Sequence, residues 1–221
     1  MNQDLVISFD NSISDKAASI AADLAEVSLD AVLDDGLLKD VPIISTVIGL
    51  YNIGHSVKER QYIRKFASFI ERFNKGIVSE EQRDYYKSKV RDDTNQRSKE
   101  IEYLLILIDR YVDNDKAEKL AKLFLAYLDD LISWQELAKY AEVLDQILPG
   151  DYQELEKQKW NDIKNTDASD SLLRLSSLGL VVSAMKEFRF ENGTLTAPDF
   201  NARDYMLSPF GEKLLDCLGE R

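Results

Sequence analysis

Apolar positions recur every three or four residues along most of the chain, the spacing that gathers side chains on one face of an α-helix. Ser14-Asp15 followed by Ala17, Ile20, Ala21, Leu24, Val27, Leu29, Ala31 and Val32 predicts a small-residue amphipathic helix ending near Gly36. Tyr62, Ile63, Phe66, Phe69, Ile70 and Phe73 alternate with Arg64, Lys65, Ser68 and Arg72, and Asn74-Lys75-Gly76 supplies a C-terminal stop. Ser79 to Gln82 reads as a capping box with Gln82 as the reciprocal partner, opening a charged helix to about Asp92. The next helix begins near Ser98 and lines up Ile101, Leu104, Leu105, Ile108 and Val112. Asp113 to Asp115 breaks it, after which Ala117, Leu120, Ala121, Phe124, Leu128 and Leu131 repeat the period. Ser133 with Glu136 caps another, lined by Leu137, Tyr140, Ala141, Leu144 and Ile147 up to Pro149-Gly150. Connections this short imply antiparallel neighbours in a bundle.

Beyond Gly150 the pattern changes. Residues 151–168 are polar, with Leu155 and Trp160 as anchors, and read as a linker or bridging helix. Ser169 to Leu178 is a short helix closed by Gly179. Leu180-Val181-Val182, Phe188-Arg189-Phe190, an Asn192-Gly193 turn and Tyr205-Met206-Leu207 have strand character. Ser208-Pro209 places a cap and an N1 proline before a last helix bearing Phe210, Leu214, Leu215 and Leu218. The expected fold is mainly α: a helical body of five or six helices over 1–150, then a small winged-helix-like α/β unit over 169–221.

Composition supports a folded, soluble protein: 44% of residues are hydrophobic and 31% charged, with a net charge of −12. That charge opposes non-specific duplex binding, which draws on neutralised phosphates. It is unevenly spread. Residues 1–57 hold two bases and nine acids, for −7; residues 58–75 reverse this to +4; the remainder carries −9. The basic run supplies a candidate partner patch of Lys58, Arg60, Arg64, Lys65 and Arg72, suited to an acidic surface or to self-association. Just before it, 17 residues between Asp40 and Lys58 carry no formal charge. A membrane span needs roughly 20 apolar residues, and this stretch contains Pro42, Ser45, Thr46, Asn52, His55 and Ser56, so a buried central helix is favoured over spanning. Residues 41–65 together leave a membrane-surface reading open.

Three segments carry a resemblance. Asp40 to Tyr51, Lys122 to Ser133, and Leu178-Gly179-Leu180 with Tyr205-Met206-Leu207-Ser208-Pro209-Phe210-Gly211 resemble uncharacterised bacterial and prophage-borne proteins. Their layout is similar to the abortive-infection alpha proteins, in which a helical body precedes a winged-helix-like end. The similarity covers about two thirds of the chain and rests on packing motifs. It implies a bacterial cytoplasmic setting and phage-related biology, and it transfers no catalytic residue.

The search for chemistry is short. His55 is the one histidine and Cys217 the one cysteine, and no HExxH, CxxC, P-loop, GxGxxG or GxSxG pattern occurs. A lone cysteine forms no intrachain disulfide, and the N-terminus lacks a basic region followed by an apolar core, which together favour the cytosol. His55 reads as a turn residue and Cys217, beside Leu214, Leu215 and Leu218, as a buried inert thiol. Asp113-Asn114-Asp115 resembles the start of a calcium loop, but Glu118 and Phe124 stand where the glycine and the terminal glutamate belong. No catalytic residue, metal site or cofactor is assigned. Candidate nucleic-acid contacts in the C-terminal unit are Arg174, Lys186, Arg189 and Arg203, diluted by Glu187, Glu191 and Asp199. The expected function is a non-catalytic protein-interaction or adaptor protein; a DNA-binding winged-helix regulator and a membrane-surface effector are the alternatives.

Overall fold

The fold was analysed in a computed structural model, which describes residues 2–26, 40–51, 57–160, 169–185, 189–191, 194–196 and 203–219. The chain is mainly helical and divides into two units, residues 1–145 and 146–220. The first contains α1 (Asn2–Asn11), α2 (Asp15–Glu26), α3 (Pro42–Tyr51), α4 (Val57–Lys75), α5 (Glu80–Arg91), α6 (Thr94–Arg110), α7 (Asn114–Leu128) and α8 (Trp134–Gln146). Among the described residues this unit has eight helices, more than the five or six expected. The periodic reading began at Ser14 and passed over α1, whose Leu5, Val6 and Phe9 are all buried.

Helix α4 is the axis of this unit and packs against α2, α3, α6 and α7. Its Tyr62, Phe66, Phe69 and Phe73 lie one or two turns apart, and successive rings stack with centroids 6.1–6.5 Å apart and interplanar angles of 22°, 3° and 9°. Phe9 from α1 and Phe124 from α7 close on the lower rungs, Phe9 at 5.4 Å and Phe124 at 5.7 Å from Phe73. The uncharged stretch before it forms a shorter, one-sided helix. Val41, Ile43, Ile44 and Val47 face inward, whereas Ser45, Thr46 and Ile48 are half-buried and Gly49 is exposed. Val41 has no side-chain oxygen with which to cap α3, and Ser12 performs this from outside the helix. Its Oγ accepts the Ile43 N–H at 3.0 Å, while its carbonyl accepts Asn74 Nδ2 at 2.9 Å.

Several boundaries differ from expectation for identifiable reasons. Helix α6 starts at Thr94 because Asp93, at φ 41°, accepts the Gln96 N–H. Ser79 caps α5, but Gln82 Oε1 accepts from Val78 N–H rather than from Ser79. Asp113 caps α7 by accepting the Lys116 N–H at 2.9 Å, which fixes it as a helix start. Val112 and Leu131, aligned with apolar faces in the sequence, lie just beyond helix ends and are exposed.

The second unit contains α9 (Pro149–Trp160), α10 (Asp170–Ser177), β1 (Val181–Met185), β2 (Arg189–Glu191), β3 (Thr194–Thr196), β4 (Arg203–Leu207) and α11 (Pro209–Leu218). Residues 149–160, expected from 151 onward as a linker or bridging helix, form α9, which packs on α10, β4 and α11. Strand β1 pairs antiparallel with β4, Val181 opposite Leu207 and Met185 opposite Arg203. Strand β2 pairs with β3, Arg189 opposite Thr196. The short ladder β2–β3 is thus inserted between the two strands of the longer one.

One junction ties this unit together. Helix α10 ends in a Schellman motif: Gly179 at φ 75° donates to Ser176 O, and Leu180 donates to Leu175 O at 2.9 Å. Ser208 then caps α11 through Gly211 N–H, donates its hydroxyl to Gly179 O at 2.6 Å and its N–H to Leu180 O at 3.0 Å. A Cβ on Gly211 would overlap the Leu180 carbonyl oxygen and lie 3.0 Å from its carbon. The obstacle is backbone, so Gly211→Ala is expected to lower the stability of this unit by about 2–3 kcal/mol in urea unfolding. Gly150→Ala, where nothing lies within 4 Å, should instead be neutral or stabilising by about 0.4–1 kcal/mol.

Candidate functional site

The basic run lies along α4, where much of it serves the fold. Lys65 is buried, with 4% of its surface exposed, and its ammonium donates to Asp109 O at 2.8 Å and Tyr111 O at 2.6 Å. Those carbonyls end α6, where the helix dipole is negative and the last C=O groups lack intrahelical partners. Burial lowers the Lys65 pKa, Asp109 acts against it, and Lys58 adds to the lowering. Lys65 is therefore removed from the surface patch read in the sequence. Lys58 is exposed, and Arg60, Arg64 and Arg72 are half-buried.

The same device recurs twice. Lys89 Nζ donates to Leu128 O at 2.6 Å at the end of α7, and the buried Lys116 donates to Asp145 O at 2.8 Å near the end of α8. No local motif announces these lysines, because each serves a helix distant in sequence.

Polar groups ranging from buried to exposed join α6, α7 and α8. Glu100, 2% exposed, accepts from Gln96, Arg97 and the Tyr127 hydroxyl. Arg97 also lies over the Tyr127 ring, 5.0 Å from its centroid. Arg110 pairs with Glu142 and Asp145, and Tyr103 donates to Glu142 at 3.1 Å. Burial, followed by Glu142, raises the Tyr103 pKa and keeps it the donor of that bond. The Trp134 ring bridges Tyr103 and Tyr127 at 5.7 and 5.5 Å. The Arg97–Glu100 spacing was visible in the sequence; its third partner, Tyr127, comes from another helix.

In the second unit Arg174 is engaged as well. Its Nε and Nη2 reach the two oxygens of Asp151 at 3.0 and 2.6 Å, and Asp151 Oδ2 also accepts the Leu148 N–H. Asp151 is fully buried, whereas the Arg174 side chain is 43% exposed. The guanidinium beside Asp151 holds its carboxyl below the usual range. Arg189 and Arg203 take places in β2 and β4, and Lys186 lies outside the described residues. Of these four candidate cations, Arg174 is the one whose side chain is described.

His55 also lies outside the described residues, and Cys217 is buried. Among the described residues no group of three or more His, Cys, Asp or Glu could hold a metal ion, and no helix is long and apolar enough to cross a membrane. What the surface does carry is large apolar side chains: Ile7, Val78, Tyr85, Ile106, Val112 and Leu131 in the first unit, and Leu148, Leu173, Val182 and Met206 in the second. Val182 and Met206 are cross-strand partners, so they share the outer face of the β1–β4 ladder. Comparisons with protein families, curated proteins and solved structures found no match for the chain.

Replacing Lys65 with Ala should destabilise the first unit by about 1.5–3 kcal/mol, because two helix-end carbonyls lose a charged donor. Lys58→Ala should stay within about 0.5 kcal/mol, and equal effects in denaturant titration would refute the capping role. Asp151 binds its proton less readily in the folded state than in the unfolded state. Its contribution is complete above the ordinary carboxylate pKa of about 4 and is lost as pH falls through the depressed one. Asp151→Asn should therefore lower the thermal midpoint at pH 7 and flatten its fall on acidification; an unchanged acid limb would contradict this.

Proposed function

We propose that the chain is a non-catalytic protein-interaction or adaptor protein of the bacterial cytoplasm, associated with phage defence or prophages, with a winged-helix-like C-terminal unit. The observation that carries this reading is the set of large apolar side chains left at the surface, while Lys65 and Arg174, two of the candidate cations, are engaged within the fold. The order α10, β1, β2–β3, β4, α11, with a hairpin inserted between the strands of the longer ladder, supports the winged-helix-like description. The resemblance of the Leu178–Leu180 and Tyr205–Gly211 segments to abortive-infection alpha proteins supports the biological setting.

Interaction with protein is preferred over DNA on electrostatic grounds. Residues 146–220 contain eight bases and thirteen acids, and Arg174 is paired with Asp151. Phosphate recognition needs clustered, available cations. Membrane-surface binding through 41–65 has less support, since the apolar sides of α3 and α4 are buried.

A photo-cross-linking amino acid placed singly at Tyr85, Ile106 and Met206 of the full chain in a bacterial host tests the proposal. Protein adducts at one or more positions are expected, together with no mobility shift of duplex DNA at low salt. Absence of protein adducts at all three positions, or a DNA shift abolished by Arg189→Glu with Arg203→Glu, would replace the adaptor reading.

A further inference from the structure

We infer that the outer face of α5, with the turn that follows α7, is a docking surface for a cationic amphipathic segment of another protein. The inference rests on the adaptor reading and deepens it. Three apolar side chains are exposed here: Val78 at 79%, Tyr85 at 44% and Leu131 at 53%. Val78 lies seven residues, about two helical turns, before Tyr85, and a hydrogen bond ties Tyr85 to the turn that bears Leu131. The Val78 N–H donates to Gln82 Oε1 at 2.8 Å and seats Val78 on the first turn of α5. The Tyr85 hydroxyl and Lys89 Nζ both donate to Asp130 Oδ2, at 3.3 and 2.6 Å, which sets the turn bearing Leu131 alongside the helix.

The apolar side chains are surrounded by acids. Glu80, Glu81, Asp84, Asp92 and Asp130 are all exposed, and Glu81, Tyr85, Ser88 and Asp92 follow one helical stripe. Three of the nearby cations are engaged, Arg83 with Asp15, Lys89 with Leu128 O and Asp130, and Arg91 with Asp10, while Lys87 is half-buried. Asp130 adopts φ 59° at the position where glycine would close α7 without strain, so a carboxylate is kept beside Leu131.

This combination selects a partner class. Exposed acids repel nucleic-acid phosphates and anionic lipid headgroups, and a second copy would bring the same acids face to face. The chain's own basic run is a poor complement, since Lys65 is buried and Arg60, Arg64 and Arg72 are half-buried along α4. A helix with two or three apolar anchors on one side and flanking Lys or Arg matches both features of the surface.

The probe is a fluorescein-labelled 18-residue Lys/Leu amphipathic peptide, titrated against the full chain by anisotropy at about 0.15 M salt. Tyr85→Ser and Leu131→Ser leave the charge unchanged and should each weaken binding about tenfold, whereas Ile106→Ser should change it less than about twofold. Glu81→Lys with Asp84→Lys should abolish the salt-dependent part. Equal binding by all the apolar variants would mean attraction to net charge alone and would overturn the proposal. All substituted positions are exposed, and a melting curve of each variant checks that it folds. The cross-linking experiment separates the two readings. Adducts at Met206 or Ile106 with none at Tyr85 would leave an adaptor without this docking face, and no adduct at any of the three would remove both. A Tyr85 adduct supports the docking face only if the cross-linked peptide is cationic and amphipathic and the adduct is lost in the Glu81→Lys, Asp84→Lys variant.

Discussion

Enclosure of α4 is the constraint on which the first unit depends. From Tyr62 to Phe73 this helix meets neighbours on several sides, and its stacked rings receive Phe9 and Phe124 from α1 and α7. A helix surrounded in this way must place its polar side chains inside. Lys65, Ser68 and Asn74 are buried for that reason; Lys65 finds the carbonyl end of α6, and the Asn74 amide donates to Ser12 O and Ile70 O, although its Oδ1 has no hydrogen-bond partner among the described residues. The same contacts fix where α6 ends and where the α1–α2 turn lies, so packing and polar satisfaction are one arrangement.

Lysine donation to helix ends also shapes what is left for function. Lys65, Lys89 and Lys116 each meet carbonyls that the helix geometry leaves without partners, and each is thereby withdrawn from the surface in whole or part. Glu81, Asp84 and Asp92 are exposed on the outer turns of α5, and Asp130, which accepts from Lys89 and Tyr85, is exposed beside Leu131. On the outer turns of α5 the exposed acids outnumber the exposed cations, and the proposed cationic partner rests on that local imbalance rather than on the net charge of the chain.

The C-terminal unit shows how a short motif can be entirely structural. Leu178-Gly179-Leu180 and Ser208-Pro209-Phe210-Gly211 are distant in sequence, yet Ser208 bonds to both Gly179 and Leu180, and Gly211 lies against the Leu180 carbonyl. Glycine is required once for a positive φ and once for close approach. These residues hold α10 and α11 to the base of the β1–β4 ladder.

The sequence by itself determined most elements formed by local rules. The 3.6-residue period defined α4, α7 and α8, and the serine caps at Ser79, Ser133 and Ser208 formed as read, because a serine and the amide it serves are only three residues apart. It also located the uncharged stretch and the change of character near Gly150. Tertiary structure decided which of the residues with interesting chemistry were available. Lys65 and Arg174 look like surface cations in sequence; one is buried against a helix end 44 residues away, and the other pairs with an aspartate 23 residues away. Val112 and Leu131 continue an apolar period on paper, but the helices stop before them and leave both exposed. Periodicity reports the direction a side chain would take if the helix continued, whereas burial and pairing depend on neighbours that only the folded chain supplies.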